Sequence, residues 1–136
     1  MSRVPIPLLP AWARWGGVLV VGGVIFYFSV VTVAPAPPKP GSLWDKNLHF
    51  VAYAGLTLTL IYATASSSSS GSTRLALVLV TAIGYGIGIE LLQAPLANRY
   101  FALTDLLANI VGVALATTWF GIEKFLEYSP VSDSDL

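Results

Sequence analysis

The sequence predicts an all-α fold: an integral membrane bundle of four transmembrane helices. Three observations carry this prediction. Hydrophobic residues make up 55% of the 136-residue chain and charged residues only 10%, against about 25% charged residues in soluble domains. Four apolar runs each approach the roughly 20 residues that a helix needs to cross the hydrocarbon core. These runs leave hardly any polar faces, which the outside of a soluble bundle would require. A single domain over residues 1–136 accommodates spans at about 13–34, 45–65, 74–93 and 103–121, followed by a polar tail at 122–136.

The first run is densest at "WGGVLVVGGVIFYFSVVTVA", residues 15–34. Its apolar part is longer than that of a secretory signal. The following "APAPPKP" reads as a rigid surface linker rather than a cleavage site. The second starts near Asp45 and continues through "LHFVAYAGLTLTLIYATA" to the "SSSSSGS" loop at 66–72. The third runs from Arg74 to Gln93 and is ended by Pro95, which has no N–H to continue a helix. The fourth opens near Leu103, with Thr104 as N-cap and Asp105 in the first turn, and reaches Gly121. The tail "EKFLEYSPVSDSDL" is expected to fray. Gly84 and Gly88 in the third run, and Ala108, Gly112 and Ala116 in the fourth, recur at the spacing that lets helix backbones approach closely.

The chain carries seven basic and seven acidic residues and no cysteine. Zero net charge without a basic tract excludes a nucleic-acid partner. The missing cysteine excludes disulfides, thiolate metal sites and thiol nucleophiles. With four crossings, the N-terminus, the Ser-rich loop and the C-terminus share one side. That side holds Arg3, Arg14, Arg74 and Lys124; the other holds Lys39, Lys46 and Arg99. The bias of basic residues therefore predicts a multi-pass cell-membrane protein with both termini in the cytoplasm.

The remaining polar residues converge. Asp45, Lys46 and His49 begin the second helix, Glu90 and Gln93 close the third, Arg99 lies in the loop, and Asp105 and Asn109 begin the fourth. All fall on the outer side. Asp45 and His49, and Asp105 and Asn109, are four residues apart, while Glu90 and Gln93 are three apart. Each pair therefore shares a helix face. A charge facing lipid one turn inside a helix end costs about 1–3 kcal/mol, so these groups should face one another in a polar cup.

The stretches "DKNLHFVAYAGL", "YGIGIELLQ" and "NRYFALTDLLANIVG" resemble the signature of the VanZ-like membrane proteins. That signature is Asp-Lys-x-x-His, then Glu-x-x-Gln, then Arg with Asp-x-x-x-Asn-x-x-Gly. Asp45, Lys46, His49, Glu90, Gln93, Arg99, Asp105, Asn109 and Gly112 match it position for position. The likeness covers residues 45–112 and the four-helix plan. It departs at "APLANR", where relatives often carry Pro-Gly before the arginine. The family's founding member is associated with resistance to teicoplanin, and the resemblance implies a role at the cell envelope. It does not fix an activity.

Each polar residue also has an ordinary structural reading. Lys46 can snorkel to the headgroups. Glu90 can pair with Arg99 or Lys46, and Asp105 and Asn109 can cap and cross-link the fourth helix. Against these stand three functional classes. In a membrane enzyme, His49, Glu90 and Asp105 would be the catalytic candidates, exchanging protons while Lys46 and Arg99 hold an anionic head group. In a binding module, Asp45, Lys46, Gln93, Arg99 and Asn109 would hold a membrane lipid, a lipid-linked envelope component or an amphiphilic antibiotic without turnover. A small transporter or structural scaffold is the alternative. A transporter of four helices would need to form a homo-oligomer, and its site would be expected nearer the midplane. No Gly-x-Ser-x-Gly or His-Glu-x-x-His motif occurs. No cofactor is expected. Hard oxygen donors on Glu90, Asp105 and Asn109 would suit magnesium or calcium, whereas one histidine and no cysteine disfavour zinc.

Overall fold

The computed structural model describes residues 3–32, 44–95 and 103–131. The chain is predominantly helical. A short strand β1 (Val4–Leu8) leads into α1 (Ala11–Phe26), which ends in a π-helical turn, Tyr27–Val31. Then come α2 (Trp44–Ala63), α3 (Gly71–Gln93), α4 (Leu103–Thr117), the single turn α5 (Trp119–Ile122), a 3-10 turn at Glu123–Phe125, and a second strand β2 (Leu126–Pro130).

Among the described residues, three stretches are long and apolar enough to cross a membrane: Ala11–Val31, Gly71–Gln93 and Leu103–Phe125. Their outward side chains are those of a lipid-facing surface. Leu19 and Val20 on α1 and Val80 on α3 are 75%, 66% and 72% exposed, an apolar belt that water would not tolerate at this extent. Helix α2 is not among the three, and its packing explains why. It contacts α1, α3 and α4, with α4 its most extensive partner. It buries Tyr53, Leu56, Thr57, Leu60 and Ile61 against Ile25, Val78, Ala82, Ile89 and Val113. A helix shielded by three neighbours can carry hydroxyls, and Thr57 satisfies its own by donating to the Tyr53 carbonyl at 2.7 Å.

The helix boundaries have local causes. Helix α3 begins three residues before the expected Arg74 because Ser70 is its N-cap, its hydroxyl accepting from the Thr73 amide at 3.3 Å. It stops at Gln93, two residues before Pro95. Thr104 is not the N-cap of α4, since the helix already includes Leu103; Asp105 does lie in its first turn.

At the opposite end of α2, two arginines satisfy carbonyls that the helix end leaves open. Arg14, only 6% exposed, donates to the Tyr62 and Ala63 carbonyls at 3.3 and 2.8 Å and to Ser66 Oγ at 2.8 Å. Arg74 donates to the Ile61 carbonyl at 2.5 Å and to Thr64 Oγ1 at 3.0 Å. It also pairs bidentately with Glu123 at 2.6 and 2.9 Å and lies 4.7 Å above the centre of the Phe120 ring.

The tail is not frayed where it is described. Residues 126–130 pair with β1 as parallel strands, with Val4 opposite Leu126 and Leu8 opposite Pro130. Tyr128 donates to Glu123 at 2.8 Å, and Tyr62 donates to the Pro7 carbonyl at 2.8 Å. The Pro7 carbonyl thus points away from β2, so Pro5 and Pro7 occupy the side of the strand where the ladder needs no N–H. The pairing spans nearly the whole chain, which is why the local pattern read as a loose end.

Close helix approach rests on two glycines. A Cβ on Gly112 would lie 2.4 Å from the Phe50 carbonyl oxygen, so α4 and α2 touch backbone to backbone there. A Cβ on Gly86 would meet the Tyr53 ring at 3.1 Å. Gly84 and Gly88, expected to have this role on α3, meet nothing within 4 Å. Gly112→Ala should therefore lower the stability of the detergent-solubilised protein by about 1–3 kcal/mol, while Gly84→Ala and Gly88→Ala leave the unfolding temperature unchanged or raised. Equal behaviour of the three variants in thermal unfolding would refute the backbone contact.

Candidate polar site

Helix periodicity places Lys46 and His49 on one face of α2, and Asp105 and Asn109 on one face of α4. The contact at Gly112 brings these faces together. Lys46 forms an ion pair with Asp105 through Oδ1. One turn deeper, His49 Nδ1 lies 3.0 Å from Asn109 Oδ1. An amide oxygen only accepts, so Nδ1 carries the hydrogen of this bond. Nε2 then faces Asp105 Oδ2 at 3.8 Å, beyond hydrogen-bond reach.

Glu90 approaches from α3. It is 0% exposed, and neither carboxylate oxygen has a hydrogen-bond partner among the described residues. One ligand atom from each of His49, Glu90 and Asp105 lies within 4.8 Å of the other two. The salt bridge or hydrogen bond expected to engage Glu90 directly is thus absent among the described residues, yet the carboxylate faces the bundle and not lipid. The Tyr53 hydroxyl and Asn109 Nδ2 are likewise buried without partners among the described residues.

Not every expected residue joins. Gln93 turns away, its Nε2 donating to the Ser29 carbonyl at 2.8 Å and tying α3 to the π turn after α1. Arg99 lies outside the described residues, as does the side chain of Asp45. Sequence reasoning missed Tyr53 and Gly86. Tyr53 follows His49 by four residues on the same face and is within electrostatic reach of Glu90. Gly86 precedes Glu90 by four and leaves room for the Tyr53 ring and the Asn109 amide. Extending the four-residue spacing by one further turn along each helix would have found both.

The arrangement offers a buried carboxylate, an imidazole held by Asn109, and a lysine–aspartate pair at one end of the bundle. A double-mutant cycle on Lys46→Met and Asp105→Asn should give a coupling of about 0.5–3 kcal/mol in thermal unfolding. Strictly additive effects would mean that the pair does not hold α2 to α4.

A model of the family described as VanZ/LLP1 matches residues 11–123, from the start of α1 to the turn after α5. No curated protein and no solved structure matches the chain. The matched region contains the whole polar site together with the glycine that closes α2 onto α4. This protein belongs to the VanZ/LLP1 family.

Proposed function

We propose that the protein crosses the cell membrane four times with both termini cytoplasmic. On this reading the polar site is an outward-facing cup that binds the head of an anionic or hydrogen-bonding envelope amphiphile. The observation that carries it is Glu90, a fully buried carboxylate with no hydrogen-bond donor on either oxygen among the described residues. A residue serving only as a structural cross-link would be paired, because an unpaired buried charge is strongly destabilising. Helix glue within a membrane is made from Ser, Thr and Gly at lower cost. Lys46, one turn outward from His49, supplies a cation at the rim for the anionic group.

The crossing number rests on α2, which is 20 residues long and central but flanked by polar residues at its first turn. Because the chain has no cysteine, single cysteines at Ser42 and Ser69 report the topology without background. An impermeant maleimide should label Ser42→Cys in intact cells and label Ser69→Cys only after lysis. The reverse pattern would invert the orientation. Equal access to both from outside would mean that α2 does not cross.

The cup is tested by Glu90→Gln, which removes the charge at constant size, and by His49→Gln. Both variants should insert and unfold near the wild-type temperature while losing binding of a lipid phosphate in mixed micelles. A structural role predicts instead a loss of about 3–5 kcal/mol from a broken buried pair. A Glu90→Gln protein that is clearly destabilised yet binds normally would overturn the proposal. Turnover assays on the same lipid phosphate separate a binder from an enzyme, since only an enzyme shows a rate that both substitutions abolish.

A further inference from the structure

We propose that His49, Glu90 and Asp105 form a site for a divalent first-row metal ion, with Mn2+ and Zn2+ best suited to the mixed nitrogen and oxygen donors. The inference goes beyond amphiphile binding and stands whether or not the cup takes a lipid.

Three independent observations converge on it. The first is convergence itself: α2, α3 and α4 each contribute one donor atom, and the three lie within 4.8 Å of one another. Tetrahedral ligands at about 2.0–2.2 Å from an ion sit roughly 3.3–3.6 Å apart, so side-chain shifts of up to about an ångström close the site. The second is Glu90. Its two oxygens are fully buried and lack a donor among the described residues, and a metal ion would neutralise and coordinate them together. A proton would do less, because a neutral acid still leaves an O–H that needs an acceptor.

The third is the imidazole. A neutral imidazole that donates from Nδ1 to Asn109 Oδ1, 3.0 Å away, keeps its lone pair on Nε2, which lies 3.8 Å from Asp105 Oδ2. Two acceptors facing at that distance do not hydrogen-bond, but they are spaced as two ligands of one ion. Asn109 would then be the partner that holds the ligating tautomer, as carboxylates and carbonyls do for metal-bound histidines. Asn109 itself is a poor ligand here, since its oxygen is already engaged. Replacing it with an imidazole nitrogen moves the preference from magnesium or calcium toward manganese or zinc. Lys46 occupies Asp105 Oδ1, which leaves Oδ2 for the ion. Three protein ligands leave coordination positions open.

The test uses the full chain in detergent, purified without a polyhistidine tag and stripped with a chelator. Calorimetric titration with Mn2+ or Zn2+ alone should show one equivalent bound per chain, with a rise in unfolding temperature. Glu90→Gln and His49→Gln should abolish this binding, and Asn109→Ala should weaken it by roughly 10–100-fold. Since His49 is the only histidine, Mn2+ bound to protein labelled with 15N-histidine gives an assignment that does not depend on the variants folding. Pulsed electron paramagnetic resonance should show directly coordinated nitrogen whose coupling changes with the isotope. Absence of that coupling, absence of saturable binding by the folded wild type, or unchanged binding in both variants would overturn the site. Metal binding without lipid-phosphate binding would leave the site standing and remove the amphiphile reading. Lipid-phosphate binding in the stripped protein, with no metal binding, would do the opposite.

Discussion

The backbone contact between α4 and α2 at Gly112 is the constraint on which the rest of the structure depends. With no side chain at that position, α4 rests on the Phe50 carbonyl. That separation sets which residues meet above it: Lys46 reaches Asp105, and His49 reaches Asn109. Any larger residue would part the helices at the crossing and separate both pairs at once. Gly86 has the complementary role on α3. It makes room for Tyr53 and lets Glu90, one turn further on, enter the space between the other two helices.

Helix α2 is organised by its two unlike ends. Its C-terminal carbonyls are covered by Arg14 from α1 and Arg74 from α3, with Arg74 anchored in turn by Glu123 beyond α4. Cations at a helix C-terminus are favoured by the macrodipole as well as by the open carbonyls. Every other long helix is therefore tied to this end of α2, and the β1–β2 pair closes it. At the N-terminal end the polar groups interact with one another instead of with the backbone. At the C-terminal end only Arg14 Nε is buried without a partner among the described residues. The other retains buried donors and acceptors on Glu90, Tyr53 and Asn109 with no partner among the described residues. That asymmetry separates the half of the molecule that holds the fold from the half available for chemistry.

The same asymmetry bears on orientation. Two of the four basic residues behind the predicted cytoplasmic side, Arg14 and Arg74, are committed to capping α2. Their placement has a packing reason that would hold in either orientation. The membrane class, by contrast, has a direct physical signature in the exposed leucines and valines of α1, α3 and α4.

What the sequence determined by itself was local. Low charge and long apolar runs specify a lipid environment, and three of the four predicted spans are long and apolar enough to cross one. The 3.6-residue period placed His49 beside Asp45, and Asp105 beside Asn109, on common faces; Pro95 marked the end of α3. Only the tertiary structure decided how partners are shared out among those groups. Gln93 shares a helix face with Glu90 but bonds to Ser29, and Glu90 has no direct bond among the described residues. The C-terminal residues pair with a strand more than a hundred positions earlier. The physical reason is the same for Gln93 and Glu90. Periodicity is written within a helix, whereas partner choice depends on the distance and angle at which helices cross. Those are set by single small residues such as Gly86 and Gly112, whose importance emerges only when the opposing backbone is in place.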